Sequence, residues 1–252
     1  MAPPPSSGFT VDRDSMISLG IAFALMPTAQ LLASQLLPKN VRRAYYLLFI
    51  WHAYDALTHL ILEGSYLYQC FFSWAPTSRV LPRAHSSVPV LWDHRDRHYG
   101  AAYGEGPFAR LWQEYAKADT RWAGADLTVI SLEILTVFLG GPAAIYVCVL
   151  LTRIANAKPS AAAATKARGL QVRLWFVTII LATAELYGGW ITFAPEWFSG
   201  STLLVTSDPV YLWLYLFFFN TLWVFIPFWV IYVAYSELQT LSLGPSVAKK
   251  NA

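Results

Sequence analysis

Apolar side chains gather along this chain in five blocks, at about Ile17 to Leu37, Ala44 to Trp74, Leu127 to Ile154, Leu174 to Trp197 and Val210 to Tyr235. Each block is long enough, at about 1.5 Å per helical residue, to cross roughly 30 Å of hydrocarbon. The pattern predicts an all-α fold, a polytopic membrane bundle of five transmembrane helices. The second block exceeds the required length, which predicts tilt or an extension beyond the bilayer. Pro27, Pro142 and Pro227 fall inside blocks and predict kinks, because neighbouring helices can satisfy the freed carbonyls. Residues 1–16 read as a flexible N-terminal tail, 17–237 as the membrane domain with a long loop at about 75–126, and 238–252 as a C-terminal tail.

Charge orients this arrangement. Lys39, Arg42 and Arg43 lie between the first two blocks, and Arg153, Lys158, Lys166, Arg168 and Arg173 between the third and fourth, with no acid in either stretch. Short loops rich in Lys and Arg stay in the cytosol, so both are expected there. The connection from Trp197 to Asp208 has neither residue type, which fits the opposite side. Five crossings then leave the C-terminus cytosolic, where the closing Lys249-Lys250-Asn251-Ala252 has the form of a dilysine signal for retrieval to the endoplasmic reticulum.

Composition supports the membrane reading, with 56% apolar and 13% charged residues and a mean hydropathy of +0.42. A net charge of +3 without a concentrated basic face argues against nucleic acid as a partner. Cys70 and Cys148 both lie in apolar stretches and form no spaced framework, so neither a disulfide scaffold nor a zinc site is expected. The spacing of the histidines and acids lacks a three-ligand set, so no metal is expected. Glycine-rich phosphate loops and dinucleotide fingerprints are also missing from the sequence, which argues against a cofactor.

The candidate chemistry lies in the polar residues inside the apolar blocks. An ionisable group near the bilayer centre costs about 2.5 to 3.5 kcal/mol on insertion scales, so each needs a reason. The second block reads WHAYDALTHLILEGSYLY and sets Asp55, His59 and Glu63 at successive i, i+4 positions, on one face of a straight α-helix. Glu133 stands in the third block, Glu185 and Tyr187 in the fourth, and Asn220 with Trp223 in the fifth, the last two being three residues apart. Counted along each helix, these positions can share a central layer, and 11 Trp, 14 Tyr and 15 Phe can wall it. Such groups could also pair across the bundle simply to hold helices together, and Asp55 is the strongest case for that role. A desolvated carboxyl can instead act as an acid while a second group accepts a proton, and protonating an isolated alkene makes a carbocation. An indole face such as that of Trp223 stabilises a desolvated cation by about 2 kcal/mol or more.

Five collinear motifs point to a family. They are THLILEG (58–64), LWQEYAKADTRW (111–122), LEILTVFLGGP (132–142), LYGG (186–189) and NTLW (220–223). Together they resemble the emopamil-binding protein family, the sterol Δ8–Δ7 isomerase branch of the EXPERA membrane domain. The resemblance implies a five-helix bundle in the endoplasmic reticulum membrane. It also implies cofactor-free protonation of an 8-ene sterol at C9, followed by proton loss from C7. His59 and Glu63 match the family's helix-two pair, Glu133 its helix-three acid, and Asn220 and Trp223 its helix-five pair. By analogy Glu63, with His59 as relay, handles one proton and Glu133 the other, while Trp223 faces the cation. Tyr115, Asp119 and Arg121 match the loop motif and would either cap the substrate chamber or fold the loop.

The chain also departs from that pattern. The family's helix-four Tyr-Gly-Asp reads Tyr187-Gly188-Gly189 here, an acid stands one turn earlier at Glu185, and Asp55 is extra. Relocated acids beside the substrate leave two further readings open. One is a paralogue that uses the same chemistry to cyclise or isomerise another isoprenoid or terpenoid, and the other is a non-catalytic sterol-binding member. The expected partners are a sterol or isoprenoid substrate and membrane lipid, and the sequence leaves pairing into a homodimer open.

Overall fold

The computed structural model describes residues 12–79, 91–157 and 161–248. His85, Lys158 and the terminal dilysine lie outside the described residues. Nearly everything described is helical, as expected where lipid cannot satisfy backbone polar groups and each segment must bond to itself. Helix α1 spans Arg13–Leu36. It begins four residues before the first apolar block, because Asp12 Oδ1 accepts hydrogen bonds from the Ser15 amide (2.7 Å) and hydroxyl (3.0 Å). The last residues of the expected tail are therefore helix.

The second block is one helical stretch: α2 (Arg43–Leu57), a π-helical segment (Thr58–Glu63) and α3 (Gly64–Phe72). After the loop come α4 (Pro107–Tyr115), α5 (Leu127–Leu135), a second π segment (Thr136–Gly140) and α6 (Gly141–Ala155). Helix α7 runs Ala161–Ser199, and a third π segment (Tyr211–Phe218) leads into α8 (Phe219–Ala248). Among the described residues, four helical stretches are long and apolar enough to cross a membrane: Arg13–Leu36, Leu127–Ala155, Ala167–Ser199 and Tyr211–Leu243. The stretch Arg43–Phe72 is not one of the four, and its Asp55, His59 and Glu63 lower its apolar character. Hydropathy thus weakens along the helix that carries three of the candidate residues.

The chain divides into two compact units. The first comprises Met1–Ala24, Leu60–Val137 and Trp190–Thr221, and the second Leu25–His59, Phe138–Gly189 and Leu222–Ala252. Within the first, α3 packs on α4 and α5. The expected long loop is structured: β1 (Trp74–Pro76) and β2 (Arg97–Tyr99) form an antiparallel hairpin with Trp74 opposite Tyr99. Gly100 follows at φ 132°, and a Cβ there would stand 2.5 Å from the Gly124 Cα, so only glycine lets the hairpin close onto the segment before α5. Trp112 stacks on Trp122 at 4.7 Å with planes 9° apart, and Tyr66 lies 4.7 Å from Trp122, forming an aromatic core under the loop. A second core of Ala118, Tyr211, Tyr215 and Leu216 packs Leu19 and Phe193 around it.

In the second unit α2 packs along α6. The contact uses small residues: Ala56 of α2 and Ala144 of α6 share a buried cluster with Leu181 of α7, and the Cys148 thiol donates to the Phe49 carbonyl at 3.7 Å. Small side chains let helix backbones approach closely, which matters where lipid offers no hydrophobic drive between helices.

Candidate active site

The second unit holds a compact group of an acid, an imidazole and an indole. Asp55, near the end of α2, is fully buried, and His59, one turn on, is 3% exposed. The i, i+4 spacing brings His59 Nε2 to 3.0 Å from Asp55 Oδ1. From α8 the Trp223 indole Nε1 donates to that same oxygen at 2.9 Å. Two N–H donors therefore converge on one carboxylate atom. The other oxygen, Oδ2, is buried and has no hydrogen-bond partner among the described residues.

Aromatic rings fix the indole from the side. Trp51 lies 5.6 Å and Tyr54 5.7 Å from the Trp223 ring, both tilted, and both come from the same helix as Asp55. Trp51 is four residues before Asp55, so the i, i+4 rule that joins Asp55 to His59 extends one turn back; the sequence carried that signal unread. His52 is fully buried but engaged with its own helix, Nδ1 lying 2.7 Å from the Leu48 carbonyl. Glu185 lies buried in α7, whereas Tyr187 is 67% exposed.

The first unit holds the remaining site residues. Glu63 closes the first π segment and is half-buried. A π turn winds more residues per turn than an α turn, so the α-helical face expected for Asp55, His59 and Glu63 holds for the first two and is altered at the third. Glu133 is buried on α5, and the Thr136 hydroxyl donates to its Oε2 at 2.9 Å, at the start of the second π segment. Asn220, just after the third π segment, donates from Nδ2 to the Tyr115 hydroxyl at 3.0 Å and to the Tyr215 and Leu216 carbonyls. Asn220 and Trp223, expected as neighbours on one face, thus have separate partners, Tyr115 for one and Asp55 for the other. Each helix bearing a catalytic candidate contains a π segment beside it, a feature that occurs often at functional sites and that hydrophobic period alone does not reveal.

The loop residues are engaged with each other. Asp119 is fully buried and takes three bonds from Arg121: the amide and Nε on Oδ1 at 3.2 and 2.9 Å, and Nη2 on Oδ2 at 2.6 Å. Arg121 Nη1 reaches the Thr192 carbonyl at 2.5 Å. Burial alone would lower the Arg121 pKa, but the bonds and the charge of Asp119 outweigh it and raise the value, so the guanidinium stays charged. Burial, reinforced by nearby Asp119, pushes the Tyr115 phenol up, which keeps its hydroxyl protonated. Glu114 was not foreseen as a polar centre. It is 2% exposed and accepts from the Tyr215 hydroxyl at 3.1 Å and from Lys117.

With this geometry in place, comparison with known proteins is informative. The family model EXPERA (EXPanded EBP superfamily) matches residues 107–234, just over half of the chain. A 3-beta-hydroxysteroid-Delta(8),Delta(7)-isomerase of Cavia porcellus is 27% identical over 178 residues, covering 70% of this chain and 58% of the relative. A probable enzyme of the same name from Oryza sativa subsp. japonica is 22% identical over 203 residues, covering 81% and 72%. A protoglabretal synthase of Ailanthus altissima is 23% identical over 164 residues, covering 65% and 55%. The match thus spans less than two thirds of the length of the Cavia porcellus isomerase. From the matched model and these collinear relatives, the chain belongs to the EXPERA (EXPanded EBP) superfamily of emopamil-binding-protein-like proteins.

Proposed function

We propose that this chain is a multi-pass enzyme of the endoplasmic reticulum membrane, with five crossings and a cytosolic C-terminus, that shifts a sterol double bond from Δ8 to Δ7. One observation carries the alkene-protonation chemistry: a fully buried carboxylate bonded at once to an imidazole and an indole inside an apolar helical unit. The support for the sterol substrate is the relatives named as Δ8,Δ7-isomerases.

The reaction needs no electron donor or acceptor, since it adds one proton to the alkene and removes another. An acid protonates C9, the π electrons form the new C–H bond, and the positive charge falls on C8. A base then takes the C7 proton, and that C–H pair becomes the new double bond. Glu63, with His59 as relay, handles one of these protons and Glu133 the other, each contributing about 10² to 10⁴ in rate. Trp223 stabilises the cation with its indole face. Asn220 holds Tyr115, and Tyr115 with the Asp119–Arg121 pair supports the loop that caps the substrate. Asp55, Glu185 and Tyr187 complete the substrate's surroundings.

The direct test is expression in a yeast strain lacking its own 8-ene sterol isomerase, followed by sterol analysis. Accumulated 7-ene sterol is expected, and unchanged 8-ene sterol overturns the substrate assignment. A second reading, the same alkene protonation applied to another isoprenoid, draws on the relative named protoglabretal synthase and on the acids that depart from the sterol pattern, Asp55 and Glu185. Conversion of a triterpenoid alkene alongside unchanged 8-ene sterol would select it.

A further inference from the structure

We infer that Asp55 is the positioning residue of the reaction proposed above, holding His59 and Trp223 in a single geometry through one oxygen atom. The inference rests on that reading for its catalytic meaning and on local geometry for its physical content. An imidazole on a helix can turn about its side-chain bonds, and an indole can tilt over its neighbours. Here both are tied to Asp55 Oδ1, at 3.0 Å from His59 Nε2 and 2.9 Å from Trp223 Nε1. Moving either ring therefore costs a buried charge-assisted hydrogen bond. Trp51 and Tyr54 pack at 5.6 and 5.7 Å from Trp223, so the indole is held by its N–H end and by its ring.

Two chemical consequences follow. A carboxylate acceptor fixes a proton on His59 Nε2, so a relayed proton must pass through Nδ1. An indole that donates to an anion also becomes richer in π electrons, which strengthens its attraction for a cation. One acid thus sets the tautomer of the relay and the electron density of the cation-facing ring. The family motif matched at 58–64 begins after position 55, and Asp55 belongs to this chain's own departures from it.

The inference is tested on the full-length protein in detergent with the variants Asp55→Asn and Asp55→Ala. Asparagine keeps the shape and offers an amide oxygen at the Oδ1 position, with its NH2 at the Oδ2 position, which has no partner among the described residues. It therefore retains both hydrogen bonds, loses the charge and buries an amide NH2, so its recovery is partial. The first readout is nuclear magnetic resonance of protein labelled with ¹⁵N at tryptophan and histidine, with Trp223→Phe and His59→Gln assigning the signals. In Asp55→Ala the Trp223 indole N–H and the His59 imidazole nitrogen signals shift together, and in Asp55→Asn each shifts less. If either signal is unmoved in Asp55→Ala, the inference is overturned.

The second readout is turnover of 8-ene sterol. Asp55→Ala is expected to lower kcat by about ten- to a hundredfold, by analogy with removal of the carboxylate that orients a metal-bound histidine, with KM changed less than about threefold. Asp55→Asn is expected to recover part of that loss. An unchanged kcat in Asp55→Ala overturns the role of Asp55 while the isomerase reading stands. A wild-type protein that leaves the sterol unchanged overturns the isomerase reading, and the paired resonance shifts then decide on their own whether Asp55 holds the two rings.

Discussion

Two buried aspartates, one in each unit, are bonded in opposite ways. Asp119 takes three bonds from Arg121, two on one oxygen and one on the other, and Arg121 continues to the Thr192 carbonyl. Its charge is neutralised and both oxygens are occupied. Asp55 accepts two N–H donors on one oxygen and none on the other among the described residues, and its partners are an imidazole and an indole. A saturated ion pair fixes a shape. An acid with remaining capacity, beside groups that can carry a proton or face a cation, suits chemistry. The lesson is that burial of a charge in an apolar protein does not by itself mark a functional site; what the charge is bonded to separates the two cases.

The comparison can be broken most strongly at the two glutamates. Glu63→Gln and Glu133→Gln are each expected to reduce turnover of 8-ene sterol by about 10² to 10⁴ while the protein stays folded, measured by product formation alongside thermal unfolding in detergent. Near-normal activity in both variants would remove them from the mechanism. Next in size is Asp119→Ala, which leaves the buried Arg121 guanidinium unpaired. It should cost about 3 to 5 kcal/mol of stability. Replacing both partners with apolar residues of similar volume should cost much less, and a double variant as unstable as Asp119→Ala would show that the charge is not the cause.

Trp223→Phe keeps a ring but loses the indole N–H and part of the cation attraction. About a tenfold loss in kcat is expected, together with a loss of about 1.5 to 3 kcal/mol of stability for the buried hydrogen bond to Asp55. A fall in stability without a fall in rate would move Trp223 to the structural side of the comparison. The exposed pair Arg42–Glu237, at 2.6 Å, is the control: Arg42→Ala should change stability by less than about 1 kcal/mol.

The smallest effect concerns pH. The backbone bond from Ser15, followed by its side-chain bond, holds the Asp12 carboxyl below its ordinary value. A carboxyl lowered in the folded state stabilises α1 above the unfolded value of about 4 and loses that contribution as pH falls through the folded value. The protection factor of the Ser15 amide should therefore fall below about pH 4 in the wild type, and Asp12→Asn should remove that pH dependence of the protection.

Much of the fold was legible because a long apolar run has few structural options in lipid, and the blocks at 17–37 and 127–154 reappear as helices with shifts of a few residues at their ends, whereas the helix of the 210–235 block continues to Ala248, through residues expected as the C-terminal tail. The hairpin of β1 and β2 was hidden, since strands of three residues, one of them Pro76, carry no period to read. Within the site, Asp55 and His59 were legible because i, i+4 spacing on an α-helix forces contact. The relation of Glu63 to them was not, because the π segment Thr58–Glu63 changes the winding without any change in composition that marks it. The bond from Trp223 to Asp55 joins residues 168 positions apart and depends on helix packing that no local pattern encodes.

The central claim is that this chain moves a double bond by adding one proton and removing another, with its own side chains as acid and base. Purified protein should be incubated with 8-ene sterol in D2O without added cofactor, and the product read by mass spectrometry. The account predicts a 7-ene sterol carrying one solvent-derived deuteron at C9, with the label and the product both lost in Glu63→Gln and Glu133→Gln. Unconverted 8-ene sterol, or 7-ene product without deuterium, would contradict it.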